Sequence, residues 1–115
     1  MKILIAEDEY TTRKLMEIKL DRAGIQYDFT SDGKEALEMF SRGGYSVVVL
    51  DQYMPGMNGN MIARHIREKN DQVPIIGITS DETQREQMLE DGFTDVFIKP
   101  LRNQDYITTL KKFLE

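Results

Sequence analysis

The stretch "VVVLDQYMPGMNG", Val47 to Gly59, decides the fold. Three valines and a leucine, Val47 to Leu50, run without alternation, as a strand does when both faces of its sheet are covered. Asp51 follows directly, and a loop containing proline and glycine then ends the strand. A carboxylate therefore stands where a buried strand reaches the surface. Working outward, Ile3-Leu4-Ile5-Ala6 and Ile75-Ile76-Gly77-Ile78 are continuous in the same way and predict two more central strands.

Shorter runs complete the sheet. Tyr27 and Phe29 alternate with Asp28 and Thr30, and Val96-Phe97-Ile98 is brief, so both read as edge strands. Helical segments separate the strands. Met16, Leu20 and Ala23 form a stripe that Gly24 ends. Ala36, Leu37 and Phe40 follow the Asp32-Gly33 turn, and Ile62 with Ile66, then Ile107, Leu110 and Leu114, mark later helices. A fourth helix, around Thr83 to Glu90, has only Met88 and Leu89 to pack and reads as the loosest element. Strands alternating with helices predict an α/β fold, a flavodoxin-like (βα)5 three-layer sandwich. Its parallel sheet is expected in the order 2-1-3-4-5, with other orders left open, and right-handed crossovers would place helices one and five on one face and two, three and four on the other.

Composition narrows the function. At 115 residues without an internal repeat or linker, the chain reads as one domain, residues 1–115, with no output domain beside it. No apolar run is long enough to span a bilayer, and "MKILIAEDEY" turns acidic too early for a signal peptide, so a cytoplasmic protein is expected. The absence of cysteine excludes disulfides, thiolate metal sites and cysteine nucleophiles. Twenty acidic against 15 basic side chains give a net charge of -5, and no Lys/Arg stripe offers a track for nucleic acid. His65, in the charged segment "ARHIREKN", reads as a solvated residue with no role.

In open parallel sheets, ligands bind outside the carboxyl ends of the strands, where the winding reverses. That rim receives Glu7-Asp8-Glu9, Asp51, Thr79-Ser80 and Lys99-Pro100 from four distant segments. Glu7, Asp8 and Asp51 would repel one another in a partly desolvated cleft, and Lys99 supplies a single cation. A divalent ion fits the remainder, and a carboxylate-rich oxygen site suits Mg²⁺. A carboxylate beside Mg²⁺ and a lysine can attack phosphorus, with Asp51 the best candidate nucleophile and the Thr79 hydroxyl placed to donate to a phosphoryl oxygen.

These residues carry a resemblance. The acidic cluster after the first strand, "LDQYMPGMNG" in the pattern D-x-x-M-P-x-x-x-G, "SDGKEAL", Thr79 and "FIKP" stand in family order. The chain resembles the receiver domains of two-component response regulators, the family that includes the single-domain chemotaxis receiver. The resemblance implies that Asp51 accepts a phosphoryl group from a sensor histidine kinase or a histidine phosphotransfer protein. It implies that Glu7, Asp8, Asp51 and the Tyr53 carbonyl hold Mg²⁺ or Mn²⁺, Glu7 directly or through water, and that Lys99 and Thr79 hold phosphoryl oxygens. It further implies that Phe97 switches inward with Thr79, biasing the surface of the fourth helix, fifth strand and fifth helix toward a downstream effector. The protein would act as a monomer or a phosphorylation-dependent dimer, without direct contact to nucleic acid or membrane. Glu7 departs from the family's commoner aspartate and Ser80 from its alanine or glycine, while Tyr53 and Asp81 stand where side chains can screen the phosphoryl group from water.

Two other functions compete. A phosphatase of the haloacid dehalogenase type also forms an aspartyl phosphate, but that family places a second aspartate where Tyr53 stands. A receiver that binds without being phosphorylated is the other. A flavin-binding flavodoxin is rejected, since "AEDEYTT" puts an anion-repelling loop where a phosphate cradle belongs.

Overall fold

In the computed structural model, which describes residues 2–101 and 105–115, the strands fall where the apolar runs predict them. β1 (Lys2–Ala6), β2 (Gln26–Thr30), β3 (Tyr45–Asp51), β4 (Ile75–Thr79) and β5 (Asp95–Ile98) alternate with the helices. These are α1 (Tyr10–Ala23), α2 (Gly33–Ser41), α3 (Gly59–Lys69), α4 (Arg85–Glu90) and α5 (Asp105–Leu114). Every strand pair is parallel, and the order is β2-β1-β3-β4-β5, the expected flavodoxin-like winding with its reversal between β1 and β3.

The period of two in the strands divides the core. Ile3, Ile5, Val49 and Ile78 pack on one face with Met16 and Leu20 of α1 and Ile107 and Leu110 of α5. Val48, Leu50 and Val96 pack on the other with Ala36 of α2, Ile62 and Ile66 of α3, and Met88 of α4. Helices one and five thus share a face, as the crossover rule predicts. Each fully buried Ile, Leu or Val contributes roughly 1.5–3 kcal/mol, so the three central strands carry most of the cohesion.

Local signals set the helix ends. Gly24 closes α1 at φ 72°, a left-handed conformation that a side chain would resist, and its N–H donates to the Leu20 and Asp21 carbonyls. Asp32 caps α2 by accepting from the Lys34 N–H at 2.7 Å, and Asn58 caps α3 by accepting from the Met61 N–H at 2.9 Å. α4 departs from the expected span. A 3-10 turn, Glu82–Gln84, precedes it, and the α-helical part has six residues. Only Met88 of α4 is buried; Leu89, expected to pack, is 38% exposed. Among the described residues no helix is long and apolar enough to cross a membrane.

Candidate functional site

The ladders run one residue past the strands, and this sets the rim. The Glu7 N–H donates to the Thr30 carbonyl at 3.0 Å, the Gln52 N–H to Ile78 at 2.9 Å, and the Lys99 N–H to Thr79 at 2.8 Å. Side chains from β1, β3, β4 and the end of β5 therefore start from a fixed platform. The loop after β3 is held equally closely, since the Gly59 N–H donates to the Gln52 carbonyl at 2.8 Å. A Cβ on Gly59 would lie 2.5 Å from the Asp51 carbonyl oxygen, so only glycine lets α3 begin this close to the strand. Lys99 and Pro100 are joined by a cis peptide bond.

Glu7, Asp8 and Asp51 converge as expected, with one carboxylate oxygen from each lying within 4.8 Å of the others. Glu7 is completely buried and Asp51 is 5% exposed, whereas Asp8 opens to solvent. The Lys99 Nζ reaches Glu7 Oε1 at 3.1 Å and Asp51 Oδ2 at 3.3 Å. Glu9, farther out, lies 4.0 Å from the same ammonium. One lysine faces more carboxylate charge than it can offset. Burial, reinforced by a hydrogen bond with Asp51, pushes the Glu7 carboxyl up to about 7. Burial alone would lower the Lys99 ammonium, but the charges of Asp51 and Glu7 outweigh it and hold Lys99 above its usual range. Glu7 Oε1 is buried beside Lys99 without a properly directed hydrogen bond. An all-oxygen set with an unsatisfied buried acceptor fits a hard divalent cation.

Tyr53 lies in the loop after β3 and is 58% exposed. Asp81 accepts from the Thr83 N–H at 3.0 Å, capping the 3-10 turn. Ser80 is exposed. Together with Glu9, Thr12, Leu15 and Lys99 it lines a groove of about 360 Å³ beside the carboxylates. His65 is exposed on α3, in keeping with a solvated residue.

Thr79 is buried at the end of β4, yet its hydroxyl serves a neighbour that sequence reasoning passed over. It donates to Gln52 Oε1 at 2.8 Å and accepts from the Asp81 N–H at 3.1 Å. Gln52 is itself 4% exposed. A period of two continued one step beyond Asp51 would have placed Gln52 on the face of Val48 and Leu50, and that signal was available. Phe97 is not brought to Thr79. It pairs in register with Ile78 and packs on the α1–α5 face, its ring 6.5 Å from that of Tyr106. The β5 residues on the opposite face, with Val48 and Leu50, are Val96 and Ile98.

The family model described as response regulator receiver domain matches residues 3–111. The chain is 33% identical over 115 residues to the transcriptional regulatory protein SrrA of Staphylococcus aureus, covering 98% of this chain and 47% of that protein. It thus spans about half the length of the curated relatives it matches. Among solved structures it resembles the response regulator TrrA of Thermotoga maritima in complex with Mg²⁺-BeF, with TM-score 0.89, 30% identity and 97% coverage of each chain. It also resembles the receiver domain of a sensor histidine kinase of Pseudomonas aeruginosa, which has a magnesium ion coordinated in its active-site cleft. There the TM-score is 0.89 and the identity 26%, over 98% of this chain and 96% of that one.

Proposed function

Because the chain belongs to the response regulator receiver domain family of two-component systems, we propose that Asp51 is its phosphoacceptor and that residues 1–115 act as one switch. One observation carries the reading: the Asp51 carboxylate is buried at the end of the central strand, 3.3 Å from the Lys99 ammonium and clustered with Glu7 and Asp8.

In this reading an Asp51 oxygen attacks the phosphorus of a phosphohistidine on a sensor kinase or phosphotransfer protein. A P–O bond forms, the P–N bond breaks, and the imidazole leaves with the electron pair. Lys99, fixed by its backbone bond to Thr79, presents positive charge to the transferring oxygens. The Thr79 hydroxyl can donate to one of those oxygens only by giving up Gln52, since it has a single hydrogen. Glu7, Asp8, Asp51 and the Tyr53 carbonyl would hold Mg²⁺ or Mn²⁺. Bound there, the ion supplies positive charge that offsets the phosphoryl oxygens and the carboxylates together. The groove beside Lys99 gives the donor's protein surface a place to lie.

The phosphorylated state would be relayed by contact with a downstream effector through α4, β5 and α5, by a monomer or by a dimer formed on phosphorylation. Thr79 addresses the α4 side of that surface, and Phe97, through Tyr106, the α5 side. The test is incubation with Mg²⁺ and a small phosphodonor, followed by mass analysis of an acid-labile adduct. Wild type is expected to carry one phosphoryl group and Asp51→Ala none. Equal labelling of the two would sink the reading. Sustained turnover of an external phosphoester would favour the phosphatase, and an unlabelled wild type the binding-only receiver.

A further inference from the structure

Gln52, next in the chain to the phosphoacceptor, joins the site to both ends of α4. Its Oε1 accepts the Thr79 hydroxyl at 2.8 Å. Its Nε2 donates to Asn60 Oδ1 and to Gln84 Oε1, each at 3.2 Å, so both amide hydrogens are used. Gln84 is the residue at which the 3-10 turn passes into α4. Asn60 Nδ2 in turn donates to Asp91 Oδ2 at 2.8 Å, and Asp91 closes α4 at its other end. Arg64 of α3 lies 3.8 Å from the second Asp91 oxygen, and Gln87 reaches Asp91 Oδ2 at 3.4 Å. With only Met88 buried, α4 has little apolar contact to hold it, and these amides join the bonds of Arg85 to Val96 and Asp95 in attaching it.

We propose that Gln52 is a positioning residue that latches α4 in the unphosphorylated protein and that transfer of the Thr79 hydroxyl to the phosphoryl group opens the latch. The inference rests on the receiver reading and assigns it a path of transmission. Once Thr79 donates elsewhere, Gln52 Oε1 is a buried acceptor without a donor, a costly state that drives the amide to reorient. Reorientation removes the donor from Gln84 and so frees the start of α4, and it withdraws the bond that orients Asn60, whose own bond to Asp91 holds the other end. The coupling is reciprocal: whatever loosens the latch also frees Thr79 and tightens binding of a phosphoryl mimic.

The experiment uses the intact chain, Mg²⁺ and beryllofluoride, with amide hydrogen exchange over residues 84–91 and titration of beryllofluoride affinity. In wild type, beryllofluoride is expected to speed exchange in α4. Gln52→Met should show that faster exchange without beryllofluoride and bind it roughly fivefold more tightly. A side chain needed only for stability would give the opposite sign, weaker binding. Gln84→Ala, which touches only the half-exposed end of the network, should loosen the start of α4 with a smaller gain in affinity. The latch is overturned if folded Gln52→Met binds beryllofluoride no more tightly than wild type. Should Gln52→Met fail to fold, unchanged α4 exchange in Gln84→Ala overturns it instead. Asp51 labelling separates the two readings. A wild type that labels while α4 exchange ignores beryllofluoride loses the latch alone, and one that does not label loses both.

Discussion

Glu7 concentrates the chemistry of the site at a single residue. It is fully buried, it shares Lys99 with Asp51, and its folded-state value of about 7 stands well above the ordinary 4.5. Between those values the folded protein holds a proton that the unfolded chain releases, so metal-free protein is most stable below about pH 4.5 with respect to this group. That contribution fades as pH rises to about 7. Urea unfolding from pH 4.5 to 7.5 without divalent ions should show the decline in wild type and a flatter profile in Glu7→Gln. The acidic run itself was legible in the sequence. That the first acid would be the one withdrawn from water was not, because burial depends on what the second and fifth strands bring around it.

At the scale of elements, the loop from β3 to α3 depends on close approach of two backbones. Adding a methyl at Gly59 would press within 2.5 Å of the Asp51 carbonyl oxygen and 3.1 Å of the Gln52 Cα. Neither neighbour is a flexible side-chain end, so the start of α3 must shift. Gly59→Ala is expected to destabilise by about 1–3 kcal/mol in chemical denaturation and to slow Asp51 labelling in single-turnover assays. A variant that labels at the wild-type rate would show that the loop adjusts without disturbing the acceptor. Periodicity served well for α1, α3 and α5, whose stripes at Met16 and Leu20, Ile62 and Ile66, and Ile107 and Leu110 are buried. It served poorly for α4. There the apolar pattern is too short to mark a face, and the boundary follows the Asp81 cap and the amides of Gln52 and Asn60.

For the molecule as a whole, ligand binding and folding are linked through the carboxylate cluster. A cation held by the folded rim raises stability in proportion to the logarithm of its concentration above the dissociation constant. Thermal midpoints should rise with added Mg²⁺ and fall back with chelator, more at pH 7.5 than at pH 5.5, where protons compete for Glu7. Asp8→Ala should lose most of that rise, and an equal rise in Asp8→Ala would remove the metal site from these residues. The sequence by itself determined the five strands and the two-faced core, and it gave the winding and the address of the candidate site as expectations. Those rest on local periodicity and on handedness rules that act along the chain. Tertiary structure alone decided which face Phe97 takes, that Thr79 is held by Gln52, and that α4 is tied at both ends by buried amides. Each of these depends on residues distant in sequence meeting at one depth of the sheet, which register and packing set and no single stretch of chain encodes.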